Sequence, residues 1–266
     1  MPAAIPTTPV MLGVSLKMYF GHQETLDWCR RVAQIAAVHP AVSRNLASVF
    51  VLPSMPTLGL VEGMLAGTKV GLGAQDLYHQ DKGAFTGEVS GAMLSELGCK
   101  YVEIGHAERR KLFGETDHDV AEKLAAAVRN NLIPVLCVGE QNDVSASEAA
   151  ELCINQIQAA GSVSTEGKIE LVVAYEPVWA IGADSPAPES HIIDVCALII
   201  EFLDSSERFE GSRVIYGGSA GPGLLTRLHG SLSGLFLGRL AHDPGNIVKI
   251  LDEALEALQA ETTPTV

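Results

Sequence analysis

The sequence is poor in positive charge, in cysteine and in long apolar runs. Lysine and arginine number 18 against 32 aspartates and glutamates, which leaves a formal net charge of −14. Nucleic acid and anionic membrane surfaces would be repelled, so neither is expected as a partner. No stretch approaches about 18 consecutive apolar residues, so no membrane span is expected. Residues 1–9 are Pro-, Ala- and Thr-rich, with no basic stretch and no long apolar core. They predict a frayed tail in place of a secretory leader. The five cysteines (Cys29, Cys99, Cys137, Cys153 and Cys196) are odd in number and show no metal-ligand spacing. Most sit in apolar runs, as reduced core residues of a cytoplasmic protein do. The eight histidines form no HxH or HExxH pattern, so no metal site is expected.

What is present is a 47% apolar chain of 266 residues, enough to bury one large core. Short β-branched runs at 10–17, 47–52, 69–75, 101–104, 133–138, 171–176, 213–216 and 234–237 read as strands. Helical patterns follow them at 25–38, 57–66, 91–97, 119–130, 146–160, 190–203, 222–228 and 244–258. The strands are apolar on both faces, as a parallel sheet covered by helices requires. Eight such units without a composition break predict an α/β protein, a single-domain (β/α)8 barrel over 10–260, with tails at 1–9 and 261–266. A doubly wound open sheet is the alternative, and the lack of GxGxxG after the first strand weakens its dinucleotide-binding form.

In such barrels the chemistry lies at the C-terminal ends of the strands. Lys17, Gln75, Asp76, His106, Glu108, Glu140 and Glu176 stand there, as do the turns Gly217-Gly218-Ser219 and Gly238-Arg239. The acidic chain repels anionic substrates at long range, so a phosphate site has to be built locally. Gly-rich turns entering helices supply one. Glu176 ends an apolar strand and precedes Pro177, which cannot continue a ladder. Walled by Val178 and Trp179, its carboxylate is expected to rise in pKa, as suits a base for a C–H proton beside a carbonyl.

The segments 174–182 (AYEPVWAIG), 105–110 (GHAERR), 83–90 (GAFTGEVS) and 216–219 (YGGS) resemble triosephosphate isomerases, in the same order and over nearly the whole chain. AYEPVWAIG is highly specific. The resemblance implies a TIM barrel and a cofactor-independent aldose–ketose isomerase of a small sugar phosphate, acting through an enediolate. It implies Glu176 as base, His106 as a neutral electrophile beside a helix N-terminus, and Lys17 as the cation that stabilises developing charge. Glu108 matches the family carboxylate near these groups, or else pairs with Arg109 or Arg110. Residues 177–187 match the closing lid, and Gly182, Ser219 and Gly238 the phosphate site. The long loop 75–90 implies a homodimer, with Thr86 reaching the neighbouring subunit's site.

Three departures stand out. Ser15-Leu16-Lys17 replaces the usual Asn-Trp-Lys, the lid ends Ala183-Asp184-Ser185-Pro186, and Gly238-Arg239 replaces Gly-Gly. An inward Arg239 and a small Ser15 would accommodate an extra hydroxymethylene unit. The pattern resembles the branch of the family that serves erythritol breakdown by interconverting erythrulose phosphates and erythrose 4-phosphate. The alternative is an authentic triosephosphate isomerase of glycolysis. A sugar-phosphate-binding barrel without catalysis would have lost one of Lys17, His106 and Glu176. A Schiff-base or metal-dependent lyase using Lys17 or Lys69 leaves AYEPVWAIG unexplained.

Overall fold

Eight short strands pair in parallel in sequence order and close on themselves: β1 (Val10–Ser15), β2 (Ala47–Leu52), β3 (Val70–Ala74), β4 (Tyr101–Ile104), β5 (Ile133–Val138), β6 (Val172–Tyr175), β7 (Arg213–Tyr216) and β8 (Gly234–Leu237). The computed structural model describes residues 9–163, 167–228 and 230–262. The expected N-terminal tail falls outside them except for Pro9. Closure rests on β1 pairing with β8, Met11 opposite Gly234. A Cβ on Gly234 would lie 1.8 Å from the Met11 carbonyl oxygen, so only glycine fits this seam. The closed ring excludes the open doubly wound sheet.

Alternation along each strand makes two apolar layers. Met11, Phe50, Leu52, Val135, Cys137 and Ile215 are among the side chains that fill the lumen. Leu12, Val14, Val49, Val51 and their counterparts pack outward beneath the helices.

The helices are α1 (His22–Val38), α2 (Pro40–Ser43), α3 (Leu58–Leu65), α4 (Gly91–Glu96), α5 (Ala107–Phe113), α6 (Asp117–Arg129), α7 (Ala146–Ala160), α8 (Glu189–Ser205), α9 (Leu224–Arg227) and α10 (Pro244–Thr262). Two were not visible as apolar periodicity. The first, α2, is a single turn, and α5 buries none of its residues. Caps define α5: the His106 side chain accepts the Glu108 N–H, and Gly114 ends the helix at φ 72°. The next helix, α6, starts from a reciprocal Thr116–Asp119 capping box. The last helix, α10, runs to Thr262, past the expected barrel boundary at 260.

Candidate active site

Chain reversal at the end of β1 places the first of the expected site residues, Lys17. Lys17 adopts φ 49°, an uncommon conformation for a residue with a side chain. Gln75 Nε2 holds it by donating to the Lys17 carbonyl at 2.9 Å, and Ser54 Oγ donates to the same oxygen at 3.2 Å. Gln75 is therefore a positioning residue. Lys17 Nζ meets Glu108 Oε1 at 2.8 Å. Burial works against the ammonium, but the Glu108 hydrogen bond and the charges of Glu176, Glu108 and Glu103 outweigh it and raise its pKa.

Glu108 reaches Lys17, while the two arginines have other partners. Arg109 pairs with Asp76 at 2.8 Å and with Glu115. Arg110 pairs with Asp117 at 2.6 Å and donates to the Gly105 carbonyl. Asp76 also binds Lys123 at 2.7 Å, so it belongs to a buried ion network beneath the loop and not to the reacting centre.

His106 precedes α5 and is buried. Its Nδ1 accepts the Glu108 backbone N–H at 3.1 Å. Its Nε2 lies 3.2 Å from Glu176 Oε2 and 4.0 Å from Glu103 Oε1. Burial lowers the imidazole pKa, yet the charge and contact of Glu176 and the charge of Glu103 prevail and raise it. A second proton would have to sit on Nδ1, where the Glu108 N–H already points from the first turn of α5. With Nδ1 taken by that N–H, the proton on Nε2 faces Glu176.

Glu176 follows β6 and is 6% exposed. A Cβ on Gly217 would stand 2.5 Å from Glu176 Oε1, so this glycine admits the carboxylate. Val178 lines the same cleft as Glu176. Trp179 Nε1 donates to Glu140 Oε1 at 2.8 Å. Glu140 also accepts from the Tyr175 hydroxyl and, through its carbonyl, from the Val178 N–H. It anchors the start of the lid instead of joining the chemistry.

The far end of the lid is tied as well. Ala187 N donates to the Tyr216 hydroxyl at 3.1 Å. Ser219 Oγ lies 3.0 Å from the carbonyls of both Ala180 and Ala183, and its single proton serves one at a time. These bonds hold Ser219 against the segment that carries Gly182. Gly238 precedes a 3-10 turn, Arg239–His242. Arg239 is exposed, with Nη2 3.6 Å from the position of a Gly182 Cβ. It stands at the lid tip and not in the deep pocket where an inward side chain was expected. Thr86 lies on the exposed stretch 82–88. The base of that loop is pinned by Tyr78 N to the Val89 carbonyl and by Arg129 to Asp81.

Glu103 is the site residue that the sequence reading missed. It is the third residue of β4, points into the lumen and is 4% exposed. Ser15 Oγ donates to its Oε2 at 2.8 Å. The signal was a charge inside a strand buried on both faces, which demands a partner. Burial, helped by the Glu176 charge, pushes the carboxyl from 4.5 up to about 7, against the pull of His106, Ser15 and Lys17. The folded state thus keeps a proton that the unfolded chain releases, and the stability this gives at low pH is lost as pH rises through about 7. Glu103→Gln cannot ionise, so between pH 5 and pH 8 it should lose about 5 °C less in Tm than the parent. Parallel Tm profiles over that range would count against a buried, titrating Glu103.

Among the described residues, no group of three or more His, Cys, Asp or Glu side chains is placed to hold a metal ion. Nor is any helix among them long and apolar enough to cross a membrane.

A profile described as triosephosphate isomerase matches residues 10–254. The chain is 54% identical over 245 residues to the L-erythrulose-1-phosphate isomerase of Pectobacterium atrosepticum, covering 91% of this chain and 95% of that protein. It is 40% identical over 218 residues to the triosephosphate isomerase of Moorella thermoacetica, covering 80% and 85%. The crystal structure of triosephosphate isomerase from Bartonella henselae superposes with a TM-score of 0.77 at 26% identity, covering 92% of this chain and 98% of that one. With a closed eight-stranded barrel and Lys17, His106 and Glu176 gathered at its mouth, the chain belongs to the triosephosphate isomerase family and is an isomerase.

Proposed function

We propose that the protein isomerises erythrulose 1-phosphate by proton transfer through an enediolate. The observation that carries the chemistry is His106 Nε2 at 3.2 Å from Glu176 Oε2, with Lys17 paired to Glu108 beside them. The four-carbon substrate is supported by the 54% identical relative named for it.

Glu176 takes the proton from C3, next to the C2 carbonyl. The C–H pair becomes the C2–C3 double bond and the carbonyl pair moves to oxygen. The His106 N–H donates to that oxygen, and the Lys17 ammonium offsets its charge. Return of the proton to C2, with His106 shuttling a proton between the two oxygens, leaves the carbonyl at C3. Because O1 is esterified, C1 cannot become an aldehyde, so the product is erythrulose 4-phosphate. Erythrose 4-phosphate is one further C1–C2 shift away and calls for the same kind of base and electrophile. Gly182, Ser219 and Gly238 surround the phosphate, and the lid keeps water out while the enediolate is exposed to phosphate loss.

A homodimer fits this reading. The exposed stretch 82–88 and Met18, 92% exposed beside Lys17, offer surface that a second copy would cover. A cytoplasmic place in four-carbon polyol breakdown is consistent with it.

Comparison of kcat/KM on erythrulose 1-phosphate and dihydroxyacetone phosphate tests the substrate. The four-carbon ketose should be favoured by about 10²-fold. A preference for the three-carbon ketose would instead support the second reading, a triosephosphate isomerase, which relatives such as the 40% identical one favour. Arg239 stands at the lid tip, so Arg239→Gly should raise KM about tenfold on either substrate by removing a cation beside the phosphate. A change confined to one substrate would place Arg239 in specificity instead.

A further inference from the structure

The lumen beneath the catalytic groups is lined by apolar side chains, yet it holds one carboxyl. Glu103 is 4% exposed there. A carboxylate removed from water is costly unless its oxygens find donors. Oε2 has the Ser15 hydroxyl at 2.8 Å. Among the described residues, Oε1 has only the Cys137 thiol at 3.9 Å and the His106 Nε2 at 4.0 Å. Neither distance is that of a strong hydrogen bond. One well-bonded oxygen thus holds the carboxyl in place, while the other faces the nitrogen that polarises the substrate carbonyl.

Placement in the ring adds direction. Ser219 binds the lid on either side of Gly182, and β8, which leads into Gly238, is the ring neighbour of β7. In a closed eight-stranded ring taken in sequence order, β4 stands across the lumen from β8. A phosphorylated ketose anchored at those loops, with its carbonyl at His106, extends its unphosphorylated end toward β4. In a three-carbon substrate that end is a single oxygen-bearing carbon. In erythrulose 1-phosphate it carries an additional hydroxymethyl group, C4 and its hydroxyl.

We propose that Glu103, held by Ser15, is a specificity-determining residue whose Oε1 hydrogen-bonds the terminal hydroxymethyl group of a four-carbon ketose phosphate. The inference rests on the substrate reading above and deepens it. The Ser15 hydroxyl fixes the carboxyl. A carboxyl that titrates at about 7 can accept from or donate to a hydroxyl near neutral pH. Without that partner the buried oxygen stays poorly bonded, which penalises the shorter substrate.

The test is the ratio of kcat/KM on erythrulose 1-phosphate to that on dihydroxyacetone phosphate, measured for the parent, Glu103→Val, Glu103→Gln and Ser15→Ala. Glu103→Val should lower the ratio by about 10²-fold. Glu103→Gln keeps the shape and one acceptor, and should fall between Val and the parent. Ser15→Ala, which frees the carboxyl, should lower the ratio by about tenfold. A ratio unchanged within about threefold in Glu103→Val, whether both activities survive or fall together, overturns the inference and leaves Glu103 a structural or tuning group. A parent enzyme inactive on erythrulose 1-phosphate overturns the substrate reading and the inference with it. The two failures are therefore distinguishable.

Discussion

Glu176→Asp is expected to lower kcat by about 10²-fold while KM changes little. Shortening the side chain by one methylene withdraws the carboxylate from the reacting carbon by about 1 Å, and proton transfer is steeply sensitive to such a gap. The substitution keeps charge and polarity, so the loss isolates position. Gly217 makes the position specific, since its lack of a side chain lets the carboxylate lie against the β7 loop. His106 Nε2 lies 3.2 Å from the other oxygen. Glu176→Gln, which keeps the length but not the basicity, should cost more, about 10³–10⁴-fold. Inhibition by inorganic phosphate should be unaltered in both variants, because the phosphate loops are untouched. Steady-state kinetics would reject Glu176 as the base if the Asp variant kept near-parental turnover.

Lys17→Met should be more severe, losing about 10³-fold or more in kcat and weakening every phosphorylated ligand. Methionine has nearly the length of lysine without the charge, so packing changes little. The partner left behind, Glu108, is 45% exposed and can be solvated. Its uncompensated charge then repels the dianion that Lys17 attracted, so KM should rise with the fall in kcat. The backbone turn should persist, because Gln75 and Ser54 hold the Lys17 carbonyl whatever the side chain. An active variant with parental KM would remove Lys17 from the mechanism, and unchanged circular dichroism and Tm would exclude unfolding as the cause of the loss.

Much of this is legible in the sequence, for identifiable physical reasons. The strands announced themselves because parallel strands buried on both faces cannot alternate with polar residues. Lys17, His106 and Glu176 stood out because they sit at strand ends inside specific motifs. Other residues were hidden by contacts that sequence order does not reveal. Glu103 and Ser15 lie 88 residues apart and meet across the lumen, so neither strand alone discloses the pair. Glu108 reaches Lys17 because α5 begins on a cap at His106, and that helix has no buried face to betray its period. Trp179 follows the base in sequence, but the buried Glu140 draws it away. Arg239 depended on the path of the lid, which brings Gly182 over it.

The seam between β1 and β8 bears on how this chain reaches its folded form. Met11 and Gly234 come from opposite ends of the sequence, so their pairing closes the largest loop the barrel contains. Contacts of such separation form slowly, after local strand–helix units have assembled. Ser15 and Lys17 sit at or just past the end of β1, and the turn beginning at Gly238 follows β8. An open-ringed intermediate would already hold His106 and Glu176 on adjoining parts of the sheet, yet its lysine and phosphate loop would not have met. Recovery of activity during refolding should therefore trail recovery of helical signal, and the enzyme would gain its catalytic power at the moment the ring shuts.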